Sequence, residues 1–108
     1  MTWVRLDDNF PDHPKVIGLG DSAFRMHVAA MCWSARYLTD GHIPSSALRS
    51  IGSNKGATEL HAAGLWDRTD HGWMIRDFLD YNPSKEHVEG KREAARKRMA
   101  GARIVRAN

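Results

Sequence analysis

The stretch from Asp40 to Arg76 constrains the fold of this chain more than any other, because short apolar runs alternate there with turn and cap residues. Ser45 or Ser46 is a suitable N-cap, since a serine hydroxyl can satisfy an orphan backbone N–H of the first helical turn. After a glycine-containing turn, a second helix is expected to begin near Lys55. It should end at Gly64, because a glycine at C′ commonly closes a helix. The stretch therefore predicts a short helix, a turn and a second helix.

Two short apolar runs, Leu65–Trp66 and Trp73–Ile75, flank the loop Asp70–Gly72. A short glycine-containing loop between such runs is typical of a β-hairpin. His42–Ile43 lies before the first short helix and is expected to pair with this hairpin as a third strand. The order strand, helix, turn, helix and hairpin is that of a winged helix-turn-helix. The predicted fold class is therefore mainly α with a small β-sheet (α+β), with the hairpin as the wing.

The longest helix of the compact part is predicted from Ser22 to about Leu38, with Asp21 as its N-cap. Apolar residues recur along it at spacings of three and four, which makes one apolar stripe. The stripe consists of Phe24, Val28, Met31, Ala35 and Leu38. This helix should be the spine of the core. Ahead of it, Trp3–Leu6 alternates weakly and is short enough for an edge strand.

The C-terminal part differs from the rest in charge. From Ser84 onward the chain carries eight Lys/Arg and three acidic residues, whereas the first 83 residues carry eight basic and ten acidic residues. We expect a winged helix-turn-helix domain over residues 1–83, and a basic C-terminal helix and tail over residues 84–108. Ser84 is a suitable N-cap for this helix, which can run to about Arg103 and has few apolar positions, so it suits a projecting helix. A basic tail indicates a nucleic acid or another acidic partner, and the alternative is a solvated surface helix.

Several protein classes are disfavoured by the composition. A single cysteine, Cys32, excludes an internal disulfide and fits a reducing cytoplasm. No run approaches the roughly 18 apolar residues of a membrane span, and the N-terminus lacks the apolar region of a signal peptide. The histidines are scattered without metal-ligand spacing, and no phosphate-binding glycine motif occurs. We therefore expect no enzyme, no catalytic residue, no cofactor and no metal.

Further segments carry a recognisable pattern in addition to the long helix. They are Met1–Leu6, Phe10, His13–Lys15, Thr39–Pro44, Ala63–Trp66 and Phe78–Ser84. Together they resemble a group of small actinobacterial-phage and prophage proteins, which are similar to the N-terminal winged-helix domain of phage replisome organisers, the DnaD-like replication-initiation proteins. The resemblance implies a phage protein with a winged-helix fold that acts in replication initiation or transcriptional regulation.

In a winged helix, the second helix of the helix-turn-helix enters the major groove and its N-terminal residues face base edges. Asn54 is therefore expected to read adenine, and Lys55 to reach guanine or a phosphate. The predicted DNA-binding residues of the compact part are Arg49, Ser53, Asn54, Lys55, Thr58, Arg68 and His71. The alternative is that Asn54 only caps or turns, that Lys55 is solvated, and that Glu59 repels phosphate.

The basic tail offers the stronger electrostatic attraction for DNA. Its predicted phosphate contacts are Lys91, Arg92, Arg96, Lys97, Arg98 and Arg103. They occupy several helical faces, so only part of the set can meet one duplex. The expected partner is double-stranded DNA, with a replication or host protein as another candidate and no membrane. A homodimer through the C-terminal helix stays open. The alternative function is a protein–protein adaptor that uses the winged helix as an interaction platform without direct DNA binding, which the mildly acidic compact part favours.

Overall fold

The computed structural model describes the backbone of residues 3–107 and the side chains of residues 3–80 and 82–101. The helices are α1 (Asp21–Tyr37), α2 (Leu48–Ile51), α3 (Asn54–Ala62), α4 (Phe78–Tyr81) and α5 (Lys85–Ala107). The strands are β1 (His42–Pro44), β2 (Trp66–Thr69) and β3 (Gly72–Ile75), and short 3-10 helices cover Phe10–Asp12 and Ser45–Ala47. The predicted α+β class is confirmed.

The three strands form one antiparallel sheet in the order β1-β3-β2. Ile43 is opposite Trp73 on one side of β3, and Arg68 is opposite Trp73 on the other. The predicted hairpin and its third strand are therefore confirmed. The sheet packs with α1, α2 and α3 around a core in which Trp66, Ile43 and Leu60 are fully buried.

Helix α1 buries Met31 and Ala35 of the predicted apolar stripe, but the centre of its buried face is shifted from that stripe. Its buried residues are Ala23, Met26, His27, Ala30, Met31, Ser34 and Ala35. Phe24, Val28 and Leu38 of the predicted stripe are only half-buried. Small side chains account for the difference, because alanine and serine let the neighbouring elements approach closely although they contribute little to an apolar pattern.

Hydrogen bonds to other parts of the chain hold both ends of α1. The helix includes Asp21 as its first residue, so Gly20 is the N-cap and the predicted Asp21 cap is wrong. The backbone N–H of Gly20 donates to a carboxylate oxygen of Glu59 at 2.8 Å. At the other end, the fully buried Ser34 Oγ accepts the Gly41 N–H at 2.7 Å. This bond ties α1 to the turn that leads into β1.

The N-terminal segment crosses the core without forming a strand. The predicted edge strand Trp3–Leu6 is wrong, because the Arg5 N–H donates to Asn82 Oδ1 at 2.9 Å rather than to another backbone. Trp3 is 80% exposed, whereas Phe10 packs against α1 with its ring 5.8 Å from that of Phe24. A side-chain partner therefore holds this segment where a strand ladder was expected.

Helix α5 leaves the compact part after its first turn. Ser84 Oγ accepts the His87 N–H, as an N-cap does, and the Lys85 N–H donates to Asp40 Oδ1 at 2.6 Å. Val88 is buried, but from residue 89 to residue 101 every described side chain is exposed except the half-buried Ala95. The radius of gyration, 17.4 Å, exceeds the roughly 13 Å expected of a compact chain of this length. The helix therefore projects, and it continues to Ala107 rather than ending near Arg103.

Candidate nucleic-acid interface

Helix α3 begins at a side-chain cap in the turn after α2. Ser53 Oγ accepts the Gly56 N–H at 3.0 Å, so Ser53 is the N-cap of the helix. Neither predicted cap of the preceding helix makes such a bond, because Ser45 and Ser46 lie inside a 3-10 helix without a side-chain cap. The expectation that one of these two serines caps the first helix is therefore wrong.

Two glycines bring α1 close to this turn. A Cβ atom at Gly52 or at Gly56 would lie 2.5 Å from the Sδ atom of Met26, which is itself buried. A side chain at either position would displace Met26 from the space that it occupies between the helices. With Met26 in this position, Ala57 and Leu60 of α3 are buried in the core and the opposite face of α3 is exposed.

The outer face of α3 carries three of the predicted DNA-binding residues. Asn54, Lys55 and Thr58 are all exposed. The Thr58 hydroxyl donates to the Asn54 carbonyl at 2.9 Å, so its proton is used within the helix and its oxygen keeps acceptor capacity. Glu59 is turned aside towards Gly20 at the N-terminus of α1. Its carboxylate is thus occupied by a backbone donor.

The β2–β3 hairpin ends next to this face. The guanidinium carbon of Arg68 lies 5.4 Å from the centre of the Trp73 ring, which is a cation–π arrangement. The same ring lies 5.7 Å from that of His61 on α3. At the hairpin tip, the His71 carbonyl accepts the Ser45 N–H at 2.9 Å and the rest of His71 is exposed. The hairpin therefore contacts α3 and the 3-10 helix Ser45–Ala47 that leads into α2.

A polar groove of about 250 Å³ lies between the N-terminal half of α3 and the hairpin. Asn54 and Thr58 line one side of it, and Arg68, Thr69 and Asp70 line the other. Residues that are 10 to 16 positions apart in the chain therefore face one space. Of the residues predicted in the compact part, the structure brings Asn54, Thr58 and Arg68 together. Arg49, Ser53, Lys55 and His71 are exposed and do not line the groove.

The basic residues of α5 form a separate surface. Of the predicted phosphate contacts, Lys91, Arg92, Arg96, Lys97 and Arg98 are exposed, as is Lys85, and the side chain of Arg103 lies outside the described residues. Arg96 makes an ion pair with Glu93 at 2.5 Å, which offsets part of its charge. Helix α5 begins beside Asp40, after the C-terminus of α1, whereas Glu59 of α3 contacts Gly20 at the other end of α1. The 17 residues of α1 separate these contacts by about 25 Å.

No sequence pattern predicted the polar pair that Trp66 and His27 form in the core. The Trp66 indole N–H donates to His27 Nδ1 at 3.0 Å, and the Phe10 ring stacks on the imidazole at 5.5 Å. Burial lowers the pKa of His27 from 6.5 to about 4. The Trp66 carbonyl in turn accepts a hydrogen bond from Nδ1 of His61 on α3 at 2.9 Å. Trp66 thus links the core to the outer helix.

An exposed ion pair closes the base of the hairpin. The Arg76 guanidinium contacts both carboxylate oxygens of Asp67, at 2.6 and 3.2 Å. The hydrogen bond from Arg76 holds the pKa of Asp67 below its ordinary value. Since Asp67 is in β2 and Arg76 follows β3, the pair fastens the two strands where they leave the core. It lies away from the groove.

Other kinds of site find little support in the part of the chain described. Within residues 3–101, no group of three His, Cys, Asp or Glu side chains could hold a metal ion. Over residues 3–107, no helix is both long and apolar enough to cross a membrane. No protein-family model matches this chain, and no curated protein or solved structure matches it.

Proposed function

We propose that this chain is a DNA-binding protein in which α2, α3 and the β2–β3 hairpin form a winged helix-turn-helix. The observation that carries the proposal is the polar groove, in which Asn54 and Thr58 of α3 face Arg68 of the hairpin. An amide, a hydroxyl and a guanidinium on one exposed helix–hairpin surface are the groups that read base edges and bind phosphates. The function we infer is replication initiation or transcriptional regulation, in the cytoplasm of a phage-infected or lysogenic cell.

Each group has a role that its surroundings allow. Asn54 lies at the first position of α3, where the exposed amide can make a bidentate contact with adenine in the major groove. Lys55 is exposed on the same turn and reaches a guanine or a phosphate. Arg68 is held over the Trp73 ring, so less side-chain entropy is lost when its guanidinium binds a phosphate.

The engagement of Glu59 supports the same assignment. A free carboxylate on the groove helix would repel the phosphate backbone. Here one carboxylate oxygen accepts the Gly20 N–H, and the carboxylate also lies at the positive end of the α1 dipole. Its negative charge is therefore partly compensated, and the exposed cations of α3 and the hairpin determine the local attraction for DNA.

The basic face of α5 acts as a second, sequence-independent grip. Because α5 begins about 25 Å from the contact between α3 and Gly20, it reaches phosphates away from those near the groove helix. If about four of its cations neutralise phosphates, log K plotted against log salt has a slope of about −3.6 from α5 alone. A homodimer through α5 would place two such grips on one duplex.

The test starts with the full chain and a random duplex library. Sequences retained at about 150 mM salt are selected, and the affinity of the best duplex is measured by fluorescence anisotropy. Asn54→Ala and Arg68→Ala are compared with Arg36→Ala, which removes an exposed charge from the C-terminal end of α1. Loss of a good base contact by Asn54→Ala costs about 1–3 kcal/mol, whereas Arg36→Ala should leave the affinity unchanged.

A second comparison separates the contribution of the groove to DNA binding from that of α5. The triple variant Arg96→Gln, Lys97→Gln, Arg98→Gln should weaken binding to all duplexes alike and make the salt slope shallower by about 2 to 3. Asn54→Ala should change the sequence preference but leave the slope nearly intact. If no duplex binds at about 50 mM salt, the DNA assignment is refuted.

The alternative is a protein–protein adaptor without direct DNA binding. It is favoured by the net charge of −2 on residues 1–83 and by the presence of Asp70 in the groove. In that case α5 docks on an acidic replication or host protein. Capture of such a partner by the full chain, lost in the α5 triple variant and kept in Asn54→Ala, would support the adaptor.

A further inference from the structure

A second cavity, distinct from the groove, opens between the N-terminal segment and the core. Its volume is about 280 Å³, close to the lower bound of the range usual for small-molecule sites. Val16, Met31, Leu65, Ile75 and Phe78 make its apolar wall. Most of these side chains are buried members of the core cluster, so the wall is preformed.

The N-terminal segment is held in place over this wall. Asn82 accepts the Arg5 N–H through Oδ1 and donates from Nδ2 to the Phe78 carbonyl, at 2.9 and 3.2 Å. Phe10 stacks on His27 and closes another side of the cavity. Since Asn82 is itself buried, these contacts position the segment independently of any ligand.

One hydrogen-bond donor lies at the buried end of the cavity. The Trp66 indole nitrogen can only donate, so the His27 Nδ1 atom that it contacts must be the acceptor and the proton of the neutral ring is on Nε2. Within the described residues, Nε2 has no hydrogen-bond acceptor. No polar side-chain atom there is both fully buried and unpaired, so Nε2 must be accessible. Because His27 lines the cavity, Nε2 faces its open space. His27 is 3% exposed and lines the cavity.

The rim adds more donors. The Lys15 N–H donates to His13 Nδ1 at 3.1 Å, which leaves the His13 proton on Nε2. The side chains of Arg5 and Lys15 also line the rim, and neither makes an ion pair within the described residues. Two acids, Asp7 and Asp77, line the rim as well, and Asp7 accepts the Asn9 N–H at 2.7 Å.

We propose that this cavity binds a small organic carboxylate with an apolar body. The apolar body packs on the core wall, and the carboxylate accepts hydrogen bonds from His27 Nε2 and from the cations of the rim. A carboxylate fits better than a neutral polar group because the buried donor and the two rim cations can all donate hydrogen bonds to it, and charged acceptors make the stronger bonds. His27 contacts the side chain of Trp66, whereas His61 contacts its backbone carbonyl, and the site does not depend on DNA binding.

The test is an NMR titration of the full chain, without DNA, that follows the Trp66 indole N–H. Phenylacetate and hexanoate are the probes, and phenylacetamide is the uncharged counterpart of phenylacetate. A ligand of this size in such a cavity should show saturable shifts with a Kd of about 1 mM. Phenylacetamide should bind about tenfold or more weakly, since it lacks the charged acceptor.

Two variants and a matched control identify the contacts. His27→Asn keeps an acceptor for Trp66 where Nδ1 was and removes the Nε2–H, so the affinity for phenylacetate should fall about tenfold. Arg5→Ala with Lys15→Ala should also weaken binding, whereas Arg25→Ala with Arg36→Ala removes two exposed charges elsewhere and should not. No saturable shift by either carboxylate at about 20 mM, equal binding of phenylacetamide, or an equal loss in the control variant would overturn the proposal.

Discussion

Protonation of His27 should make the stability of this protein depend on pH in a predictable direction. Burial lowers the pKa of His27 from 6.5 to about 4, and a protonated ring could no longer accept the Trp66 N–H. Between these two values the unfolded chain binds a proton at this site and the folded chain does not. The free energy of unfolding should therefore fall as the pH decreases through 6.5, and the loss should level off below about pH 4.

The size of the effect follows from the shift in pKa. Each unit of difference is worth about 1.4 kcal/mol, so the full contribution of His27 approaches roughly 3 kcal/mol. Between pH 7.5 and pH 5, the linkage relation gives a loss of about 2 kcal/mol. Such a loss is a large part of the stability of a domain of this size.

The assay is urea unfolding of the wild type and of His27→Asn at pH 7.5, 6.5, 5.5 and 5. The asparagine cannot titrate, so its difference from the wild type isolates His27 from the other ionisable groups. We expect the wild type to lose its advantage over the variant progressively towards pH 5. A difference that stays constant over this range would refute the inference that the buried ring is neutral and bonded to Trp66.

Three further substitutions test the packing that shapes the proposed interface. Gly72→Ala should lower the free energy of unfolding by about 2–3 kcal/mol in chemical denaturation, because its Cβ would collide with the Ile43 carbonyl oxygen across the β1–β3 pair; unchanged stability would contradict the register. Gly90→Ala is the matched control, since nothing lies within 4 Å of the added Cβ, and it should increase the helix signal in circular dichroism by stabilising α5 locally by about 1 kcal/mol; a decrease would mean that the residue packs against something. Ser34→Ala should cost about 1–3 kcal/mol in thermal unfolding, because the Gly41 N–H loses its buried acceptor; a neutral effect would show that another group takes the bond.

Where a signal is local, the sequence predicted the structure well. The end of α3 is an example. Gly64 has a φ of +84°, which favours glycine, and two backbone hydrogen bonds close the helix there. The Leu65 N–H donates to the Leu60 carbonyl and the Gly64 N–H to the His61 carbonyl, which is the Schellman arrangement. All of these residues lie within six positions of one another. The hairpin and the Ser84 cap were predicted for the same reason.

Where the outcome depended on distant partners, prediction failed or was incomplete. The face of α1 that is buried depends on Met26 fitting between Gly52 and Gly56, and no apolar periodicity encodes that fit. The trio Asn54, Thr58 and Arg68 was named from the sequence, but only the packing of the hairpin against α3 brings the three to one groove.

The sequence by itself determined the order of the elements from His42 to Ile75, the glycine that ends α3 and the accumulation of positive charge after residue 83, because each is a property of neighbouring residues or of composition. Only the tertiary structure decided how the elements meet. Glu59 at Gly20 and Trp66 at His27 each join residues 39 positions apart. Such contacts depend on the geometry of close packing, which no local pattern specifies. They turn Glu59 away from the proposed interface and place His27 in the core as the acceptor of the Trp66 N–H.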